Sequence, residues 1–416
     1  MPQVGHSLGI DFGTSNSAAG FVQDGKAQLI QMEPGQYTLP TTFFFNFDNR
    51  ETLIGEPANQ ALLDGDEGRF MRALKRVLGT SLMHEERQIL NERVTFVDII
   101  ARFLRQIKTR AETATGLTFN RVLSGRPVVF HGTDPIKERR AENDLRACYH
   151  TAGFEQVDFM AEPEAAAIAS GALKTPDELG LIVDIGGGTS DFSLFRTSDT
   201  GIDILANHGV RIGGTDFDRS ISIDHVMPLL GKGTSLRKVM GPGTSPVPNA
   251  IFNDLATWEK IPFLYTRQNQ RMVADMLQLA HAPDKLKRLA SVLEDELGHE
   301  LAFAVERGKI AANSDATNPT ISLSQVERGL STPLPSEQLT ASLKQHQQAL
   351  YDGALDTLAL ANVAPAQVTR IIYVGGSSLL GMVTEAMHQA FPQADHSFSK
   401  VFTAVTNGLA IAASQQ

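Results

Sequence analysis

Two stretches of the chain repeat one design. Gly9-Ile10-Asp11-Phe12-Gly13-Thr14-Ser15-Asn16-Ser17 and Val183-Asp184-Ile185-Gly186-Gly187-Gly188-Thr189-Ser190-Asp191 each run an apolar strand into an aspartate, then glycine, then small hydroxylated residues. Alternating residues follow both (Ala18–Val22 and Phe192–Phe195), so each stretch predicts a β-hairpin whose turn carries no bulk. Such a turn can close its backbone N–H groups on a phosphate. The aspartate at each strand end can hold the water shell of a metal ion. Two facing hairpins of this kind predict a grip on the phosphates of a Mg-nucleotide, within a fold built twice.

The chain's 416 residues exceed what one compact core holds, so two or more domains are expected. A net charge of -10 argues against a surface for nucleic acid or anionic membrane, which needs a basic face. It leaves a nucleotide open, because the grip above uses backbone dipoles and a metal. The single cysteine, Cys148, excludes an internal disulfide and reads as a small buried helix residue. No run approaches the length of a membrane span, and the N-terminus enters a strand by Leu8 without a signal-peptide pattern, so a cytoplasmic protein is expected. The eleven histidines show no ligand spacing, and His131, His150 and His281 read as surface or loop residues.

Short strands are expected at Leu8–Phe12, Ala18–Val22, Ala27–Gln31, Thr41–Phe47 and Thr52–Ile54, then helices at 69–78 and 94–115. A strand at Arg121–Gly125 leads to Pro127, and Asp134-Pro135 opens a helix that Gly153 stops. The strand Val157–Met160, a small-residue helix at 164–173 and the strand 180–185 feed the second hairpin. This alternation predicts an α/β fold. From Phe217 to Glu306 the pattern is mostly helical, broken by the loop Gly241–Pro248, with helices at 249–261, 268–280 and 284–312. A helix at 336–361, the strand Val368–Val374, a helix opened by Gly375-Gly376-Ser377-Ser378 and the helix Thr403–Ala413 close the chain.

Gly375-Gly376-Ser377 is a third glycine turn, read either as a tight strand-to-helix connection or, beside the two hairpins, as the place where a nucleoside lies on backbone. Gly213-Gly214-Thr215-Asp216-Phe217-Asp218 taken alone is a helix-capping turn or a further glycine contact. Gly231-Lys232-Gly233-Thr234 lacks the preceding strand of a P-loop, and Gly241-x-Gly243 runs into Ser245-Pro246, unlike a dinucleotide fingerprint.

With these segments in place, the chain resembles the actin-like ATPase superfamily, and within it the ATPase domain of the DnaK-type heat-shock chaperones. The residues that carry the resemblance are Gly9–Ser17, Glu162-Pro163-Glu164-Ala165-Ala166-Ala167, Val183–Asp191, Gly213–Asp218, Val374–Ser377 and Ala404-Val405-Thr406-Asn407-Gly408-Leu409-Ala410. The short YegD-type chaperone-like proteins are the nearest in pattern, through Gly125-Arg126-Pro127, the long segment after 217 and Lys309-Ile310-Ala311. The resemblance implies a duplicated ribonuclease H-like α/β fold with two lobes around a nucleotide cleft. Lobe I would be 1–178 with 393–416 returning to it and 39–93 as its upper subdomain. Lobe II would be 179–392, with 212–345 as an enlarged helical upper subdomain.

The resemblance also assigns roles. Asp11 and Asp184 would hold Mg²⁺ through water, and Gly13, Thr14, Ser15, Asn16 and Gly186–Thr189 would meet the phosphates of ATP or ADP. Asp191 and Glu162 would orient the attacking water. Lys75 matches a lysine that neutralises charge on the leaving phosphoryl group, against the plain alternative that Lys75-Arg76 is a solvated helix face. Pro127 matches a switch proline, or simply stiffens a loop. Gly213, Gly214, Glu306, Lys309, Asn313, Gly375, Gly376, Ser377 and Leu379 would surround the nucleoside. Ile310 and Leu379 stand where the chaperones carry two arginines around adenine, so cation–π contacts of about 0.5–2 kcal/mol each are replaced by apolar packing, and weaker or less selective base binding is expected.

The sequence ends just past the second connecting helix, so no peptide-binding domain is expected, and the enlarged 217–306 segment is a partner surface or a decorative insertion. The function implied is a slow, chaperone-like Mg-ATPase that acts as a nucleotide-dependent switch. A bacterial actin-like filament is the alternative in another class. A small-molecule kinase would need a carboxylate base beside an acceptor hydroxyl, and no residue can be nominated for it.

Overall fold

The computed structural model describes residues 6–128, 130, 134–170, 177–198, 201–314, 316–398 and 403–415. Contacts gather the chain into two compact units. One comprises Met1–Arg211, Asp352–Leu379 and Met387–Gln416, the other Ile212–Tyr351 and Leu380–Ala386.

The first unit contains one sheet pattern twice. In the first sheet the strand His6–Phe12 pairs antiparallel with Asn16–Gln23, which pairs antiparallel with Lys26–Leu29. On its other side His6–Phe12 pairs parallel with Phe119–Arg126, and that strand pairs parallel with Gln156–Ala161. In the second sheet Leu179–Ile185 takes the place of His6–Phe12. Ser190–Ser198 and Gly201–Val210 follow antiparallel on one side, Arg370–Val374 and Asp395–Ser397 parallel on the other. The repeat in sequence is thus a repeat in topology, and the fold is the expected α/β class.

After the last strand of each sheet comes a short helix of small residues, Glu162–Ser170 and Ala404–Ala413. Their alanines pack with Leu123 from the first sheet and Ile182, Phe195, Ile372 and Val374 from the second in one buried cluster. A large side chain would hold these elements apart, and at two points even a methyl group would. A β-carbon at Gly408 would run into the Ala165 carbonyl, and one at Gly9 into the Ala410 amide. The helix Phe96–Thr115, capped by Thr95 and Asp98, covers the other face of the first sheet with Ile99, Ile100, Phe103, Leu104 and Ile107. Asp134 accepts from the amides of Ile136 and Lys137 to start Pro135–Ala152, and Gly153 ends that helix in the left-handed region, as its sequence predicts. Cys148 is buried on it.

Three helical expectations are corrected. Residues 69–78 are not a helix: Gly68–Arg72 is a strand paired with Thr42–Asn46, and only Leu74–Val77 is helical, as a 3₁₀ turn. The row Phe43-Phe44-Phe45 needs a strand beside it, Phe70 lies opposite Phe44, and Ala73 at φ 62° breaks the chain between strand and turn. The stretch 284–312 is two helices, Pro283–Glu294 and Gly298–Asn313, because Glu296 turns left-handed at φ 55° and the Tyr265 hydroxyl bonds both the Glu296 carbonyl and the Gly298 amide. The stretch 249–261 holds the helix Ala250–Leu255 and a 3₁₀ segment, Trp258–Phe263. The small-residue helix expected over 164–173 is described to Ser170, and 171–173 lie outside the described residues, as does His131. His150 and His281 are exposed.

The second unit carries these helices together with Gly214–Ile221, Arg267–Leu279 and two small ribbons, Ser235–Arg237 with Thr244–Pro246 and Thr320–Ser322 with Ser331–Pro333. Phe217, Ile221, Leu286, Leu289, Leu301 and Val305 are buried in it.

The close crossing of the two small-residue helices yields a stability prediction. Gly408→Val forces them apart, and overpacking of this kind costs roughly 1–3 kcal/mol or more. The melting temperature followed by circular dichroism should fall by several degrees; an unchanged value would show that the helices do not touch there.

Candidate functional site

The two hairpins place their aspartates as the sequence predicts. Asp11 pairs across to Ala18, and Asp184 pairs directly with Asp191 on the return strand. Both turns are built for close approach. A β-carbon at Gly13 would run into the Asn16 carbonyl, and Gly186 donates its N–H to the Thr189 carbonyl at 2.9 Å. At Gly187 the space a side chain would need is taken by the Ser15 hydroxyl, so the first hairpin reaches over the second. The third glycine turn belongs to the same place: Gly375, at φ 78°, passes so near that a β-carbon there would lie 3.0 Å from Asp184 Oδ1. Ser378 closes that turn on the Gly375 carbonyl at 2.7 Å.

Lys75 reaches the same cluster from the 3₁₀ turn. Its Nζ bonds Glu162 Oε1 at 2.7 Å, with the two side chains only 10% and 14% exposed, so Lys75 does not lie on a solvated face, whereas Arg76 is exposed. The turn is pinned at both ends. Leu74 and Leu78 are buried, and the Gly79 amide donates to the buried carboxylate of Asp144 at 2.9 Å. Asp144 is a residue the sequence reading missed; its place within the helix Pro135–Ala152 gave no pattern to follow. Glu162, as the first residue of its helix, also lies at the positive end of the helix dipole. Tyr149, likewise missed, is buried beside Asp11 and Glu162 and bonds the Ser124 hydroxyl at 2.8 Å.

Four carboxylates therefore surround one ammonium. Burial, then the Glu162 charge, raises Asp11 to about 7, with Lys75 pulling it back. Burial also raises Asp184 well above the ordinary carboxylate range, and Glu162, Asp191 and Asp11 add to the shift. Asp191 is pushed up to about 6 by burial and Glu162, while the Thr189 hydroxyl, at 3.3 Å, and Lys75 oppose the shift. Burial alone would lower Lys75, yet Glu162, Asp11 and Asp184 hold it above the usual lysine value. The cluster is short of positive charge. No three carboxylate, imidazole or thiol groups among the described residues converge tightly enough to ligate a metal directly.

The remaining expected residues are placed as follows. Thr14 and Ser15 are half-buried, and Asn16 and Thr189 are exposed. Gly376 is exposed, Ser377 half-buried, and Leu379 is 36% exposed. In the second unit the Gly213 amide donates to Asp216 at 3.0 Å, so this turn caps the helix Gly214–Ile221. Lys309 is paired with Asp218 at 2.7 Å, both nearly buried. Asn313 accepts the Gly381 amide at 2.9 Å, Glu306 is half-buried, and Ile310 is 61% exposed.

The raised carboxylates make stability depend on pH. Between the unfolded value of 3.8 and about 7, folded Asp11 holds more proton than the unfolded chain does. The contribution of Asp11 to stability is therefore greatest at the acid end of that window and is lost as pH rises through it. Asp184→Asn removes a buried charge, and at about pH 7.5 it should raise the melting temperature by a few degrees and flatten its pH dependence. A lower melting temperature with unchanged pH dependence would contradict the charge imbalance.

Duplicated sheets, two bulk-free turns, small-residue helices after each sheet and a lysine held among carboxylates together narrow the choice of family. Comparison with known families matches residues 7–236, more than half of the chain, to the family described as Hsp70 protein. That span takes in both hairpins, Lys75, Glu162 and the Gly213–Asp218 turn, and with this match the chain belongs to the Hsp70 protein family.

Proposed function

We propose that this protein binds Mg-ATP at the two hairpins, hydrolyses it slowly and uses the change of nucleotide as a conformational switch. The observation that carries the proposal is the cluster of Asp11, Glu162, Asp184 and Asp191 around Lys75, a buried site with surplus negative charge next to two glycine turns without bulk. A Mg²⁺ ion held through water by Asp11 and Asp184 would supply the missing positive charge and join the phosphates to the carboxylates. The turn residues Gly13–Ser15 and Gly186–Thr189 present N–H and hydroxyl donors to phosphate oxygens. Lys75, fixed by Glu162, holds its charge where negative charge grows as the terminal phosphoryl group leaves. Asp191, titrating near 6, is matched to accept a proton from water at physiological pH. The turn Gly375–Ser377, against Asp184, offers backbone to the nucleoside. The enlarged 217–306 segment gives a partner a surface from which to read the switch.

Lys75→Ala removes preorganised charge from the departing phosphoryl group, an effect worth roughly 10²–10³ in rate. Single-turnover phosphate release should fall by that order while Mg-ATP binding, measured by calorimetry, persists. Hydrolysis at the unsubstituted rate would refute the assignment.

A further inference from the structure

In the second unit the ribbon Ser235–Arg237 with Thr244–Pro246 is fastened to the C-terminal end of the helix Arg267–Leu279. The Ser235 carbonyl accepts the His281 amide at 3.1 Å, and the Arg237 guanidinium donates to the Gln278 carbonyl at 2.9 Å. Between ribbon and helix lies a groove of about 600 Å³. Leu236 and Met276, both buried, and Met272 and Leu279, half-buried, supply its apolar lining. The ribbon's turn begins just past Leu236. The Lys238 amide closes it on the Gly243 carbonyl at 3.2 Å, and Gly241 and Gly243 take the left-handed region at φ 79° and 114°. On this turn Val239 and Met240 are 81% and 87% exposed, more than any other large apolar side chain among the described residues. Three residues of chain span at most about 10 Å, so Val239 stands beside the groove that Leu236 lines. Apolar surface held out in this way marks a contact for another molecule, and methionine adapts its shape to what it meets.

Charge selects the occupant. Residues 232–288 hold nine lysines and arginines against four aspartates and glutamates, in a chain whose net charge is -10. Arg271 lines the groove, Arg267 stands one turn before it, and Arg237 and Lys238 follow Leu236 on the ribbon. Asp275, one turn after Arg271, also lines the groove and offsets part of that charge. The lining runs along the helix from Gln268 to Leu279, a length of about 16 Å.

We propose that this groove docks an acidic amphipathic helix of a partner protein, whose apolar residues enter between ribbon and helix while its carboxylates face Arg267, Arg271 and Lys238. The inference rests on the reading of 217–306 as a partner surface and gives that partner its chemistry; it uses nothing at the nucleotide site. Apolar residues at i, i+3, i+4 and i+7 of a helix match a groove of this length. The complementary charge orients the incoming helix and excludes basic competitors.

The test is fluorescence anisotropy of two labelled peptides titrated with the full chain in the absence of nucleotide. Both are about 18 residues long with leucine at i, i+3, i+4 and i+7, and the remaining positions carry glutamate in one and lysine in the other. The glutamate peptide should bind, and the lysine peptide should bind at least about tenfold more weakly. Arg271→Glu with Lys238→Glu should reverse that preference. Val239→Ser with Met240→Ser should weaken the glutamate peptide about tenfold. All four side chains are exposed, so the melting temperature should not change. A glutamate peptide that does not bind, equal binding of the two, or a preference that the charge reversal does not move overturns the proposal. A dimer in sedimentation velocity that Val239→Ser with Met240→Ser dissolves would make a second copy the occupant and overturns it too. Co-sedimentation with phosphatidylserine vesicles that the same variant loses would make the surface a lipid contact, with the same consequence. With no nucleotide present, each of these results leaves the Mg-ATP reading standing, and failure to bind Mg-ATP leaves the docking site standing.

Discussion

The ion pair between Lys75 and Glu162 holds together elements that come from far apart in the chain. Lys75 stands on a 3₁₀ turn, Glu162 on the first residue of a small-residue helix, and Asp11 and Asp184 on the two hairpins. Without the ammonium, four carboxylates would share one poorly solvated space. With it, burial first and the neighbouring carboxylates second still raise Asp11, Asp184 and Asp191. Such a cluster costs stability, and groups perturbed in this way concentrate at functional sites.

The scaffold serves that cluster by bringing backbone close to backbone. Gly408 against Ala165 and Gly9 against Ala410 let the two small-residue helices lie on each other and on the first sheet. Glu162 opens one of these helices, and a β-carbon at Gly125 would lie 3.2 Å from the Glu162 side chain. The position of the carboxylate therefore follows from packing that small residues alone permit. In the first unit Leu379 is partly exposed; in the second, Ile310 is exposed and Lys309 is committed to Asp218.

The duplicated hairpins, the helix caps at Asp134 and Gly153 and the small-residue helices were legible because each rests on local chemistry: a turn without bulk, an oxygen acceptor before a proline, a run of alanine. Residues 69–78 were misread because their spacing of apolar residues suits a helix, whereas the decision lay with Phe44, a partner distant in sequence. The break at Glu296 was hidden for the same reason, being sealed by the Tyr265 hydroxyl. Lys75 was nominated by family pattern, and only the fold brought Glu162 to it. Asp144 and Tyr149 had no local pattern; their importance comes from what they touch, the Gly79 amide and Ser124.

The central claim is that the carboxylate cluster is completed by a cation arriving with nucleotide. Calorimetry of Mg-ATP binding near pH 6.5, repeated in buffers of different ionisation enthalpy, counts the protons exchanged on binding. Because Asp11, raised to about 7, holds a proton over part of that range, a Mg²⁺ ion held beside it would drive that proton off. The account predicts net proton release that shrinks as pH rises past about 8 and disappears when Mg²⁺ is withheld. Binding with no proton release near pH 6.5, or release that is indifferent to Mg²⁺, would contradict it.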